Sequence, residues 1–150
     1  MKAVLQRVSR AAVDVDGKRV ASIGRGILTL LAVEPDDGPE QCEHLMERIA
    51  KLRIFADEGM DKMNRSILDI GGEHLLVSQF TLLADLTKGN RPSFTRSGSP
   101  EHARILFEQA VETSRRLGVP TQAGIFQADM RVELVNEGPA TFTLQSEPRR

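Results

Sequence analysis

The feature that most constrains this chain is the spacing of its apolar residues, which follows a helical period in two stretches only. Cys42, Leu45, Met46, Ile49 and Leu52 fall at i, i+3, i+4, i+7 and i+10, one continuous stripe. Pro39 suits the first position of that helix. A second helix is predicted from Ser99 as N-cap, with Pro100 at its first position and Glu101 in the first turn. Its stripe is Ala103, Leu106, Phe107, Ala110, Val111 and Ser114, and it ends near Gly118.

The rest reads as extended chain. Lys2–Val8 and Ala12–Val15 are strand-like, with Val13 and Val15 alternating against Asp14 and Asp16. Asp16-Gly17 is a two-residue hairpin signal, and Lys18–Ile23 is the returning strand. The apolar run Ile27–Val33 predicts a strand buried on both faces. Leu75–Gln79 follows the turn Gly71-Gly72. Ile125–Val135 and Ala140–Leu144 read as two strands flanking a turn at Gly138-Pro139, with Met130, Val132 and Leu134 on one face. About seven strands grouped in hairpins, with two amphipathic helices, predict an α+β fold with mainly antiparallel sheet or a partly closed β-barrel. The length of 150 residues suits a single domain, 1–150.

Composition narrows the function classes. Forty per cent apolar and 27% charged residues are the proportions of a soluble globular chain. No opening segment resembles a signal peptide, and Ile27–Val33 is too short to span a bilayer. One cysteine, Cys42, permits no intramolecular disulfide and suits a reducing, cytoplasmic setting. The net charge of −1 gives no global attraction for nucleic acid, and the absence of Trp and Tyr disfavours a sheet that stacks bases, although six Phe remain.

Familiar catalytic patterns are missing. His44, His74 and His102 are scattered and none stands at zinc-ligand spacing with Cys42; His44 and His102 are expected on solvated helix surfaces. There is no nucleophile elbow, phosphate-binding loop or dinucleotide fingerprint. Ser78-Gln79-Phe80-Thr81-Leu82 ends the Leu75–Gln79 strand. As chemistry alone it is a polar strand end. Ser78 or Thr81 could serve as a nucleophile only with a base beside it, and none is near in sequence. Such a strand end can instead offer backbone N–H groups to an ester oxyanion. Asn136-Glu137-Gly138-Pro139-Ala140-Thr141 reads by itself as a tight hairpin turn. Only about 5–6% of bonds before proline are cis in folded proteins. The basic segment from Lys88 through Arg91 to Arg96 is by default solvated surface, with RNA phosphate as the functional reading.

Taken together these segments resemble the D-aminoacyl-tRNA deacylase family, formerly called D-tyrosyl-tRNA deacylases. The resemblance runs nearly end to end: MKAVLQRVSRA at the start, LRIF at Leu52–Phe55, KMN at Lys62–Asn64, DIGG at Asp69–Gly72, then SQFTL, KGNRPSF and NEGPAT. Three positions depart from the family pattern: Glu137 where Asp is usual, and Gln127 and Ala32 where Gly is common.

The resemblance implies a homodimer with its active site at the subunit interface and an aminoacyl-tRNA 3′ end as partner. It implies a cis Gly138-Pro139 peptide whose carbonyls enter the partner's pocket, held by Arg7. Ser78, Gln79, Phe80 and Thr81 would form the catalytic floor, with N–H groups around Phe80 near the ester, and Met130 would line the pocket for the terminal adenosine. The implied reaction is hydrolysis of D-aminoacyl-tRNA and glycyl-tRNA, with L-amino acids rejected by backbone and the ribose 2′-hydroxyl assisting. No metal or other cofactor, DNA partner or membrane association is implied. Alternatives are an editing module for L-serine of the kind attached to some archaeal threonyl-tRNA synthetases, a sibling enzyme acting on L-alanyl-tRNA, and a non-catalytic binder of RNA ends.

Overall fold

Lys2–Val15 forms one unbroken strand, β1, in a computed structural model that describes residues 1–95 and 97–146. The two extended segments predicted there are thus a single element. Arg96, the last residue of the predicted basic segment, and the tail past Ser146 lie outside the described residues. Asp16 and Gly17 both have positive φ, 51° and 75°, the conformation of a two-residue turn that matches strand twist, and they return the chain as β2, Lys18–Ile23. Then β3, Gly26–Ala32, pairs with the first half of β1, from Lys2↔Ala32 to Val8↔Gly26. One edge of β1 therefore carries β3 and then β2.

Helix α1, Pro39–Lys51, has Pro39 at its first position, and Gln41 Oε1 accepts from Gly38 N at 2.8 Å. The predicted stripe buries Cys42, Leu45, Met46 and Ile49. A small ribbon follows, β4 (Phe55–Ala56) with β5 (Met63–Arg65). Strand β6, Glu73–Ser78, then runs parallel to β3. A Cβ at Gly26 would sit 1.7 Å from the Glu73 carbonyl oxygen, so only glycine lets these strands meet. Phe80–Leu83 is a 3₁₀ turn. Helix α2, Pro100–Arg116, starts at Ser99, whose side chain accepts from His102 N, and ends before Gly118, at φ 96°.

Strand β7, Thr121–Ala123, pairs in parallel with β6 and was not foreseen from sequence. Strand β8, Met130–Gln145, is continuous and pairs antiparallel along the whole free edge of β1. This corrects two expectations. Residues 125–129 are not strand; they turn, with Ala128 N donating to the Ile125 carbonyl at 3.2 Å. Nor is Gly138-Pro139 a hairpin turn between two strands. Asn136 pairs with Val8 and Thr141 with Gln6, so residues 137–140 all stand opposite Arg7 in a bulge within one strand.

The sheet order is β2-β1-β3-β6-β7, with β8 on the other edge of β1. Ser22 N on β2 donates to Gln122 Oε1 on β7 at 2.8 Å, so the mixed sheet curls until its ends nearly meet. Its pairs are mainly antiparallel, and the two helices cover one outer face. Strand alternation divides the core. Ile27, Leu31 and Leu76 join the helix stripes, while Leu28, Leu75 and Val77 point to the barrel side with Val132 and Leu134. β1 serves both clusters, giving Ala3 and Leu5 to the helices and Val8, Ala11 and Val13 to the barrel side. At about 1.5–3 kcal/mol for each large apolar side chain withdrawn from water, these two clusters hold the curled sheet closed.

Candidate active site

The parallel pairing of β3 with β6 determines where the predicted site begins. Leu31 pairs with Ser78, and the ladder continues for one more bond as Gln79 N donates to the Leu31 carbonyl at 2.8 Å. The chain then tightens into the 3₁₀ turn, with Leu82 N on Gln79 O at 3.2 Å and Ala84 N on Thr81 O at 3.1 Å. The N–H groups of Phe80 and Thr81 precede the first bond of that turn. No backbone partner takes either of them among the described residues. The strand end thus presents two neighbouring free donors, as an oxyanion requires.

Of the two, Phe80 lines a cleft of about 680 Å³ and Thr81 does not. Ser78, Gln79 and Phe80 line it together with Phe126, Gln127 and Met130. Phe94 also lines it, its ring centroid 5.2 Å from that of Phe80. Phe80 is 58% exposed, unusual for a phenylalanine and consistent with a ring waiting for a flat apolar partner. Met130 is seated by Gly124: a Cβ there would lie 2.6 Å from the Met130 sulfur. Gln127 and Ala32, two of the three departures from the family pattern, both line this cleft.

Between β6 and α2 the chain makes a short excursion. Asp85 and Ser93 bond reciprocally, Asp85 N to Ser93 O at 2.7 Å and Ser93 N to Asp85 O at 3.0 Å. This closes a loop carrying exposed Lys88 and Arg91 beside Phe94. Of this loop Phe94 lines the cleft, while Lys88 and Arg91 do not.

Arg7, Gly138 and Pro139 form a separate group. The Gly138-Pro139 peptide is cis, and both residues are exposed. Arg7 Nε donates to the Glu137 carbonyl at 3.1 Å, and Arg7 Nη1 to the Ile54 carbonyl at 2.6 Å. Asn136 Nδ2 donates both to Arg7 O at 3.0 Å and to Ala140 O at 3.2 Å, bridging the base of the bulge. Glu137 thus contributes its carbonyl to this scaffold. None of Arg7, Gly138, Pro139 and Thr81 is among the described residues lining the cleft. On β8 the cleft reaches Val132, six residues from Gly138 and about 20 Å at strand rise, so this turn stands apart from its own chain's cleft.

Conventional nucleophiles are poorly placed. Thr81 is exposed, and its hydroxyl accepts a close hydrogen bond from the Gln79 amide. Cys42 is buried, donates to the Leu106 carbonyl at 3.4 Å, and burial pushes its thiol up to about 12. Among the described residues no group of three His, Cys, Asp or Glu could hold a metal ion.

The histidines fall out differently from expectation. His44 is exposed, as predicted. His102 is only half-exposed, and its Nε2 is buried without a partner among the described residues. His74 is the hub of a buried polar chain: its Nε2 meets Thr29 Oγ1 at 2.7 Å and its Nδ1 meets Ser114 Oγ at 3.0 Å. Ser114 Oγ in turn meets Thr121 Oγ1 at 2.6 Å. This chain ties β3, β6 and β7 to α2; sequence periodicity alone had no signal for it.

A nearly closed mixed sheet with two helices on one face, and an apolar cleft bordered by free N–H groups at a strand end, define a small α+β hydrolase-like scaffold. The family model described as D-Tyr-tRNA(Tyr) deacylase matches residues 4–145. A curated relative named D-aminoacyl-tRNA deacylase, from Geotalea uraniireducens, is 54% identical over 146 residues, covering 97% of this chain and 94% of its own. The solved structure of a c-Myc DNA Unwinding Element Binding Protein superposes with a TM-score of 0.92 at 40% identity, covering 98% of this chain and 99% of that one. A probable eukaryotic D-amino acid tRNA deacylase shares the fold at a TM-score of 0.80 and 18% identity, covering 95% of this chain and 97% of that one. The chain belongs to the D-aminoacyl-tRNA deacylase family, whose members are hydrolases of ester bonds.

Proposed function

We propose that this protein cleaves the ester of D-aminoacyl-tRNA and glycyl-tRNA as a homodimer, each cleft completed by the Gly138-Pro139 turn of the partner. The observation that carries this reading is the separation described above. The cleft has at its edge the N–H of Phe80, which has no backbone partner among the described residues. The exposed cis turn is anchored on both sides, Arg7 bonding the Glu137 carbonyl and Asn136 the Ala140 carbonyl, and it does not line that cleft. Two copies related by a two-fold axis would give each turn a cleft.

In that arrangement the terminal adenosine lies between Phe80 and Met130, and exposed Lys88 and Arg91 meet the RNA phosphates. The ester oxygen faces the N–H groups of Phe80 and Thr81, where loss of one oxyanion donor typically costs about 3–4 kcal/mol of barrier. The partner's carbonyls accept from the substrate ammonium. A D-side chain then leaves toward solvent, whereas an L-side chain would be driven into backbone, which cannot yield as a rotamer can. Glycine has nothing to exclude and is cleaved. The ester is already activated, so a water positioned by the ribose 2′-hydroxyl suffices, and Ser78 and Thr81 need not attack. A role on DNA, which the name of one structural neighbour suggests, finds little support in a chain of net charge −1.

The test is hydrolysis of D-tyrosyl-, glycyl- and L-tyrosyl-tRNA by the purified protein, with and without a chelator. Release of D-tyrosine and glycine alone, unaffected by chelator, is expected. Binding of all three without turnover would make the protein a binder of RNA ends; cleavage of the L-ester would remove the turn as the filter.

A further inference from the structure

The loop between β7 and β8 holds a residue in a conformation its side chain disfavours. Gln127 has φ 64°, and with Ala128 N bonded to the Ile125 carbonyl it occupies the third position of a four-residue turn, where positive φ suits glycine. Asp16, the other non-glycine residue with positive φ among those described, sits in a hairpin and belongs to a type that tolerates it. Gln127 has no such local reason. Gln127 is exposed and lines the cleft, as do Phe126 and Met130. No hydrogen bond to its carboxamide occurs among the described residues. Gln122, on the same segment, is by contrast engaged by Ser22 N.

A carboxamide offers a donor and an acceptor side by side, which matches the N6 and N7 edge of adenine. Phe80, Phe126 and Met130 line the same cleft and give it apolar surface of the kind on which a base stacks. We infer that Gln127 reads the N6/N7 edge of the terminal adenine and is a specificity-determining residue of this enzyme. The inference rests on the reading that the cleft takes the tRNA 3′ end. It adds a base-edge contact to a cleft whose other proposed contacts with the terminal nucleotide are apolar faces.

Gln127→Gly is a suitable variant because glycine accepts φ 64° freely, so the turn survives and the loss is confined to the carboxamide. D-tyrosyl-tRNA would be prepared with terminal adenosine or with 7-deazaadenosine, which lacks the N7 acceptor. Wild type should show a KM about tenfold higher on the 7-deaza substrate, with kcat little changed. Gln127→Gly should show the raised KM already on adenosine and no further rise on 7-deazaadenosine. Unchanged KM in the variant, or a variant that still senses the N7 deletion, would overturn the role of Gln127 while leaving the deacylase intact. A wild type that turns over neither substrate would overturn the deacylase reading itself, and this inference with it.

Discussion

Arg7 and Glu137 are joined by a 3.1 Å hydrogen bond from a guanidinium to a backbone carbonyl, immediately before the cis Gly138-Pro139 peptide. Because the same guanidinium also reaches the Ile54 carbonyl, the bulge of β8 is tied across β1 to the chain leading into β4. Arg7→Lys keeps the charge but loses the two-pronged geometry. Each charge-assisted bond is worth about 1.5–3 kcal/mol, so melting should fall by about 5 °C. D-tyrosyl-tRNA hydrolysis should fall at least about tenfold, and discrimination against the L-ester should narrow, since a looser turn is a poorer wall. Melting curves and paired D/L rate measurements check this.

Thr81 is expected to be dispensable for bond cleavage. Its hydroxyl is exposed and bonded to the Gln79 amide, with no base beside it. Thr81→Ala should keep kcat within about tenfold, because the backbone N–H remains. Complete loss of turnover in a folded variant that still binds tRNA would restore the hydroxyl as nucleophile.

Stability should depend on pH through His74. Burial lowers its pKa from 6.5 to about 4, so as pH falls the unfolded chain takes up the proton first. Stabilisation from the neutral ring is complete above pH 6.5 and is lost progressively down to about 4, a total of about 3 kcal/mol. Urea unfolding at pH 7 and pH 5 should show the decline. His74→Leu should flatten it, while costing about 1–3 kcal/mol at pH 7 for the stranded Thr29 hydroxyl, Ser114 keeping its bond to Thr121.

Gly124→Ala tests the seat of Met130. The added carbon would fall 2.6 Å from the sulfur, so the thioether must swing away, and the cleft wall moves with it. A KM increase of several-fold is expected, with a loss of about 1 kcal/mol or so in stability from overpacking at a flexible neighbour. Steady-state kinetics on D-tyrosyl-tRNA separate the two effects.

Local chemistry made much of this architecture legible. The two helical stripes, Ser99 and Pro100 at the start of α2, and the Asp16-Gly17 turn all act within a few residues, and the structure has them where the sequence puts them. What failed depended on distant pairing. Gly138-Pro139 carries the turn signal of a hairpin, but β1 supplies partners on both sides of it, and the strand runs on. Residues 125–129 have strand-like composition, yet the bond from Ala128 N to Ile125 O takes the chain out of the sheet. His74 gave no warning because its partners, Thr29 and Ser114, are 45 and 40 residues away. The site was legible only through the family resemblance; the residues themselves suggested a polar strand end and a turn. The cleft itself, lined by side chains from four separate stretches of chain, was not legible at all.

The central claim is that cleft and turn of each working site come from different copies, and subunit complementation tests it most directly. Pro139→Ala disables the turn, and Phe80→Asp disables the cleft by placing charge beside the oxyanion donors. Each homodimer should be nearly inactive on D-tyrosyl-tRNA. Co-expressed in equal amounts, half the dimers are mixed and carry one intact composite site of two, so activity should return to about a quarter of wild type. Failure to recover activity, with mixed dimers demonstrated, would mean that each chain builds its site alone and would contradict the account.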